Sequence, residues 1–236
     1  HGDRRKLPAY LRQRGLGSDL TGDGSALTPF LTIGKAMTYW SSQAHPVTVH
    51  ISPGNYVEQV VMTPWKTILG SAPDNPEATL IRFAGDTVLE LNAGCSLRNL
   101  TVESLKASGE AIAAYAIGVA PAKLEYVHFK GQNNPDVTGL LLANTGENTP
   151  LVTYCAFHDL GQGIKALDTQ ARIAFNAFEN ILGDAIVCPA QTKDKGKATE
   201  PKVTVLGDGN NNQTGRNTVT LIAGKFVSNE SAKTIL

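Results

Sequence analysis

Four eight-residue segments of the chain share one arrangement of apolar and polar positions: SLRNLTVE from Ser96, KLEYVHFK from Lys123, LVTYCAFH from Leu151 and RIAFNAFE from Arg172. Their second positions are Leu97, Leu124, Val152 and Ile173, and their seventh positions are Val102, Phe129, Phe157 and Phe178. The second positions lie 27, 28 and 21 residues apart (124 − 97, 152 − 124, 173 − 152). A period of this length, holding only short β-rich runs, is too short for a βαβ unit and too long for a hairpin. It suits one turn of a parallel β-solenoid, whose coils stack at about 4.8 Å. Similar runs, VTVHI (47–51), TVLEL (87–91) and KVTVL (202–206), are separated by Gly, Asn, Asp and Pro. The pattern predicts an all-β chain, a single-stranded right-handed parallel β-helix whose hand follows from the crossover rule.

One stretch keeps a different period. In GDGSALTPFLTIGKAMTYW (22–40), Phe30, Ile33, Met37 and Trp40 recur at i, i+3, i+7 and i+10, one face of a helix. Thr28 is placed to be its N-cap and Pro29 its first residue, which predicts an α-helix over 29–42. The first coil of a solenoid has an open apolar end and unpaired backbone groups. The helix is expected to cover that end as a lid, burying four side chains for about 6–12 kcal/mol gross. Tyr56 and Glu58, in PGNYVEQV (53–60), are expected to pack in the first coil and hydrogen-bond to the lid. The domain reading is a flexible basic leader over 1–16, holding Arg4, Arg5, Lys6, Arg12 and Arg14, then a β-helix domain over 17–236 with coils from 47. The strand-like C-terminal run RNTVTLIAGKFVSNESAKTIL carries no capping signal. Further coils, a partner or another subunit are therefore expected over that end.

Composition narrows the function. Apolar residues are 42% and charged residues 18% of the chain, as in a globular protein. Lys+Arg and Asp+Glu both number 21, so there is no overall electrostatic case for nucleic acid. No apolar run approaches the ~20 residues of a membrane-spanning helix. Cys95, Cys155 and Cys188 are odd in number and irregular in spacing, which fits buried thiols and leaves a Cys95–Cys188 pair open.

GSDLTGDGS (17–25), PFLTIGKA (29–36) and PGNYVE (53–58) together resemble the opening of right-handed β-helix proteins of the pectin-lyase-like superfamily. That superfamily includes pectin methylesterase-like proteins and many phage tail and fibre proteins. The resemblance runs from Gly17 onward and speaks for the fold more than for any one activity.

Pectin methylesterases carry a Gln-Asp-Thr-Leu motif with the general acid and a Val-Asp-Phe-Ile-Phe-Gly motif with the nucleophile. A later Arg-Pro-Trp motif supplies a positioning Arg. The chemistry needs one ionised and one protonated carboxylate. Overlay on this chain puts Gln162 on the first motif's Gln and Asp184 on the nucleophile, but Gly163 where the acid belongs. No Arg-Pro-Trp occurs, and Asp168-Thr169 mimics the acid's motif five residues late. The resemblance therefore implies the scaffold without the complete machinery.

Three further features invite a ligand. The eighth positions of the repeats, Glu103, Lys130, His158 and Glu179, form an outward polar ladder with His128 beside it; an extended glycan could follow it along the axis, or it could be an ordinary solvated face. Binding there is expected to be polar, not aromatic, and to vary with pH near the usual histidine pKa of ~6.5. Asp19 and Asp23 supply hard oxygen ligands for a calcium loop, against the alternative of a tight turn. The basic loop 192–202 reads as a solvated surface loop. The expected function is a structural or carbohydrate-binding β-helix module without evident catalysis, at an extracellular, cell-surface or virion-surface location, with no cofactor expected beyond a candidate calcium ion. The alternatives are a carbohydrate-active enzyme on acidic polysaccharide, either an esterase using Asp184 with Gln162 or a lyase, and a trimeric phage tail or fibre segment.

Overall fold

In a computed structural model of the chain, residues 9–11, 17–39, 41, 46–119, 121, 123–145, 149–167, 169, 171–188, 203–206, 211–215, 218–221 and 225–227 are described. The chain winds through three faces per coil, and each strand pairs in parallel with its equivalent one coil on. The first face contains Val47–Ile51, Lys66–Gly70, residues 96–98 and 123–125, Leu151–Thr153 and Ala171–Ala174. The second contains Gly54–Val57, Thr79–Phe83, residues 101–104, 128–130 and 156–158, and Ala177–Ile181. The third contains Val60–Val61, Thr87–Glu90, Ala111–Ile117, residues 137–143 and 164–167, and Asp184–Cys188. Val203–Leu206, Asn211–Gly215 and Thr218–Leu221 continue the three faces, and Lys225–Val227 follows on the first. The architecture is the right-handed parallel β-solenoid that the repeats predict.

The two apolar columns fill the interior. Leu97, Leu124, Val152 and Ile173 stand in register and are fully buried. So are Val102, Phe129, Phe157 and Phe178. Phe129, Phe157 and Phe178 stack with ring centroids 4.9 and 5.0 Å apart, the coil spacing itself. Beside this ladder the third face sets two glycines, Gly139 and Gly163, against the rings. At Gly163 a Cβ would lie 2.4 Å from the Ala185 carbonyl oxygen and under 3 Å from the Phe178 ring.

At the turn between the first and second faces, the fourth residue of each repeat takes a left-handed conformation, with φ of 55°, 53°, 54° and 58° at Asn99, Tyr126, Tyr154 and Phe175. This one-residue turn points the neighbouring side chains inward. In one coil that inward residue is Asn176, 1% exposed, whose Nδ2 donates to the Val152 carbonyl (3.1 Å) while its Oδ1 accepts from the Cys155 amide (3.0 Å). The pair of bonds ties two coils together where the sheet ladder is interrupted.

The lid helix is shorter than its period suggests. It spans Ile33–Tyr39, not 29–42. Asp19 claims the preceding turn: its Oδ1 accepts from the Leu31 (2.8 Å) and Thr32 (3.0 Å) amides, and its Oδ2 from the Thr32 hydroxyl. Thr32, not Thr28, caps the helix, its Oγ1 accepting from the Lys35 amide (3.1 Å). Glu58 reaches up from the first coil as expected and accepts from the Ile33 and Gly34 amides, both at 2.9 Å. Phe30, Ile33, Ala36 and Met37 are buried beneath the lid, while Trp40 lies outside the described residues. Gly24 has φ of 80° and lets the Phe30 ring approach to where a Cβ would be 2.6 Å away, which accounts for glycine in the GDG turn. Within the stretch expected to be a leader, Ala9–Leu11 instead pairs in parallel with Val47–Ile51, continuing the first face beyond the first coil. The basic residues at 4, 5, 6, 12 and 14, Asp168 and the loop 192–202 lie outside the described residues.

Candidate functional site: a groove on the third face

The polar ladder exists in the predicted register, Glu103 beside Lys130 beside His158 beside Glu179. Its charges, however, answer one another. Glu103 pairs with Arg82 and accepts from the Gln132 amide (2.9 Å). Lys130 pairs with Glu77, which comes from the 3₁₀ turn Pro76–Ala78 and also faces His128 Nδ1 at 3.6 Å. His158 Nδ1 lies 3.2 Å from Glu179. The two imidazoles stand 5.6 Å apart. Burial, reinforced by the neighbouring His158, pushes the His128 imidazole below its usual range. The ladder is thus internally paired along the face, with Glu179 its most exposed member.

The open concavity lies next to it, where the second face turns into the third. This groove of about 550 Å³ is lined by Asp86, Lys106, Glu110, Asp136, Thr138, Gln162 and Lys165, with Thr87, Ile112, Pro135 and Leu141 among the floor and wall residues. Its wall is the excursion 105–110, which is pinned from both sides. Lys106 Nζ sits 2.5 Å from the Asp86 carboxylate and donates to the Glu110 carbonyl (2.8 Å). Asn134, 1% exposed, donates through Nδ2 to the Lys106 (3.1 Å) and Gly109 (2.8 Å) carbonyls and accepts from the Asp136 amide (3.0 Å). The hydrogen bond from Lys106 also holds the Asp86 carboxyl below the usual range. The wall is therefore fixed before any ligand arrives.

Gln162 occupies this groove, in register with Thr138 of the preceding coil. The pairing of Ile164 with Ile186 puts Asp184 in the same column one coil later, beyond the groove's lining. The structure therefore brings Gln162 and Asp184 into one outward column. Gly163, by contrast, faces the interior against Phe178. At this register a side chain at 163 points into the core and not into the groove.

Asp19 and Asp23 are engaged by their own loop. Asp19 holds the helix entry, and Asp23 accepts from the Ser25 amide (2.9 Å) and the Thr28 hydroxyl, whose hydrogen bond leads in drawing its carboxyl down to about 2. A calcium ion at these two residues would have to displace those bonds. Among the described residues, no group of three or more His, Cys, Asp or Glu is placed to hold a metal ion. Cys95 and Cys155 are free, buried thiols, so Cys95 is not paired with Cys188; burial pushes Cys155 up to about 12.

An aromatic surface is also present, which the apolar and polar pattern alone does not predict. Tyr126, Tyr154 and Phe175 form an exposed stack on the edge between the first and second faces, with centroids 5.1 and 5.3 Å apart and planes within 10°. The signal was present as the fourth position of the aligned repeats.

No protein-family model matches the chain, and no curated protein matches its sequence. Solved structures match its fold. The pectin methylesterase from Aspergillus niger, in a penultimately deglycosylated form, aligns over 98% of this chain and 89% of its own at 14% identity, with a TM-score of 0.60. Escherichia coli YbhC aligns over 92% of this chain and 75% of its own at 14% identity, with a TM-score of 0.59. At such identity the likeness is one of architecture. With three-faced parallel coils, a covered first coil and these structural neighbours, the chain is a right-handed parallel β-helix of the pectin-lyase-like fold.

Proposed function

We propose that this β-helix is a carbohydrate-binding module of an exported, cell-surface or virion-surface protein, and that it binds its glycan in the third-face groove without turning it over. The observation that carries this reading is the direction of two adjacent residues. Gln162 faces the groove, while Gly163, where the resemblance puts the esterase's proton donor, faces the core. A groove with amide, hydroxyl and ammonium groups on a fixed wall suits saccharide hydroxyls. Without a carboxyl group at 163 it lacks the proton donor of the esterase arrangement. Lys106 is neutralised by Asp86, leaving Lys165 against Glu110 and Asp136, a balance that favours an uncharged or esterified glycan over a polyanion. No helix among the described residues is long and apolar enough to cross a membrane.

Native gels containing pectins of graded esterification, alginate or a glycosaminoglycan test this reading. Retardation by esterified pectin is expected, reduced at least tenfold in the Gln162→Ala/Lys165→Ala variant and unchanged in Lys130→Ala/His158→Ala. Loss in the second variant only would move the site to the second-face ladder. A second reading, an esterase built on Asp184 and Gln162, draws on their common outward column.

A further inference from the structure

We propose that the edge between the first and second faces, carrying Tyr126, Tyr154 and Phe175, is a second binding strip, for an uncharged, extended polysaccharide lying along the solenoid axis. In a three-sided body this edge lies across from the third face, so the strip is separate from the groove and does not depend on how the groove is used.

The first indication is strain without burial. A left-handed backbone at a non-glycine residue costs roughly 1–2 kcal/mol, and Asn bears it best. Asn99 occupies this place in one coil, yet the next three coils put bulky aromatics there. All three remain 42–48% exposed, so burial does not offset the cost. Stacking returns part of it within the fold. Unfavourable side chains held at the surface in a regular row are the mark of a functional constraint.

The chemistry of the row selects the ligand. The rings face one another, so solvent meets their edges, which carry the positive end of the ring quadrupole. Edges of that sign favour the oxygen-rich surface of a saccharide over a cation. The Tyr126 and Tyr154 hydroxyls have no hydrogen bond among the described residues, leaving both to a ligand. The flanking residues Thr153, Cys155, Ala174 and Asn176 are uncharged, and Glu125 beside Tyr126 is paired with both Arg98 (3.1 Å) and Lys123 (2.5 Å), a cluster with one net positive charge at one end of the row. Along the rest of the row no flanking residue is charged, so a polyanion would find no ladder of cations to follow. The exposed area is roughly 300 Å², taking 150–250 Å² for each side chain. A stable protein partner needs about 800 Å² from each side. A single glycan chain fits; a folded partner does not.

The test is an NMR titration of the full chain carrying ¹³C-labelled tyrosine with cellohexaose, mannohexaose, galactohexaose or hexagalacturonate. Saturable shifts of the Tyr126 and Tyr154 ring signals are expected with at least one neutral hexasaccharide. They should persist in Gln162→Ala/Lys165→Ala, which separates this strip from the groove. In Tyr126→Asn/Tyr154→Asn/Phe175→Asn, a variant using the residue that Asn99 already places, neutral-sugar affinity measured by calorimetry should fall at least tenfold with no loss of thermal stability. Four results would overturn the proposal: no ring shift with any neutral sugar, shifts with hexagalacturonate only, shifts abolished by the groove variant, or affinity intact in the triple variant.

Discussion

Replacing Gly163 separates this account from one in which the chain is an esterase with a single lost residue. In Gly163→Ala the new Cβ would lie 2.4 Å from the Ala185 carbonyl oxygen and 2.8 and 2.9 Å from two carbons of the Phe178 ring. The carbonyl belongs to the next coil's backbone and cannot swing aside. The ring is held by Phe157 at 5.0 Å. The coils must separate locally, at the cost of overpacking a core, about 1–3 kcal/mol. Gly163→Asp adds a carboxyl group to the same dry space; even protonated and unpaired it costs about 1–3 kcal/mol more. With a urea slope of about 2 kcal/mol/M, the midpoint should fall by roughly 0.5–1.5 M for Ala and roughly 1–3 M for Asp. Urea unfolding followed by circular dichroism reads both, and Thr138→Ala, facing the groove on the same face, serves as the control. If Gly163→Asp unfolds at the wild-type midpoint, position 163 is not in the core and the proton donor's place is open after all.

Other expectations follow from the same packing. Phe157→Ala removes the middle ring of the buried stack and should cost about 3–5 kcal/mol, read as a lowered denaturation midpoint. Glu58→Gln weakens the bracket on the first helical turn and should cost about 1–2 kcal/mol at acid pH, where the Glu58 contribution is complete, and less as pH rises. Burial raises the Glu58 carboxyl above its ordinary 4.5, so its contribution is complete below that value and is lost as pH rises through the raised pKa. Wild-type stability should therefore decline across that window by an amount that the Gln variant no longer shows. Cys155, pushed up to about 12 by burial, should resist a thiol-specific disulfide reagent at neutral pH until the chain unfolds, and rapid labelling of native protein would contradict its place in the core.

The interior was legible because a solenoid writes the same pattern many times. The second and seventh positions of the repeats could be stacked from sequence, and they are stacked in the structure. The ladder's register was legible for the same reason, but its partners were not. Glu77 stands 53 residues before Lys130 in a turn that no repeat specifies. The helix period was clear, but its start was not, since Asp19 captures the amides of Leu31 and Thr32 from 12 and 13 residues away. The groove left no periodic trace, because its wall is an irregular excursion pinned by the buried Asn134 on one side and by Lys106 on the other. The aromatic edge was written plainly in the fourth column of the repeats. Its direction is not written there, since large apolar residues usually point inward, and the left-handed turn is what faces them out.

A surface that binds glycan without ester or glycosidic turnover has a simple signature in solution. The full chain is incubated with highly methylated pectin, alginate and glycosaminoglycans while methanol release and the absorbance of unsaturated products are followed. The account predicts retention of the glycan with neither product above the buffer rate, and no difference between wild type and Asp184→Asn. Methanol release that disappears in Asp184→Asn would contradict it and establish the Gln162–Asp184 column as an active site.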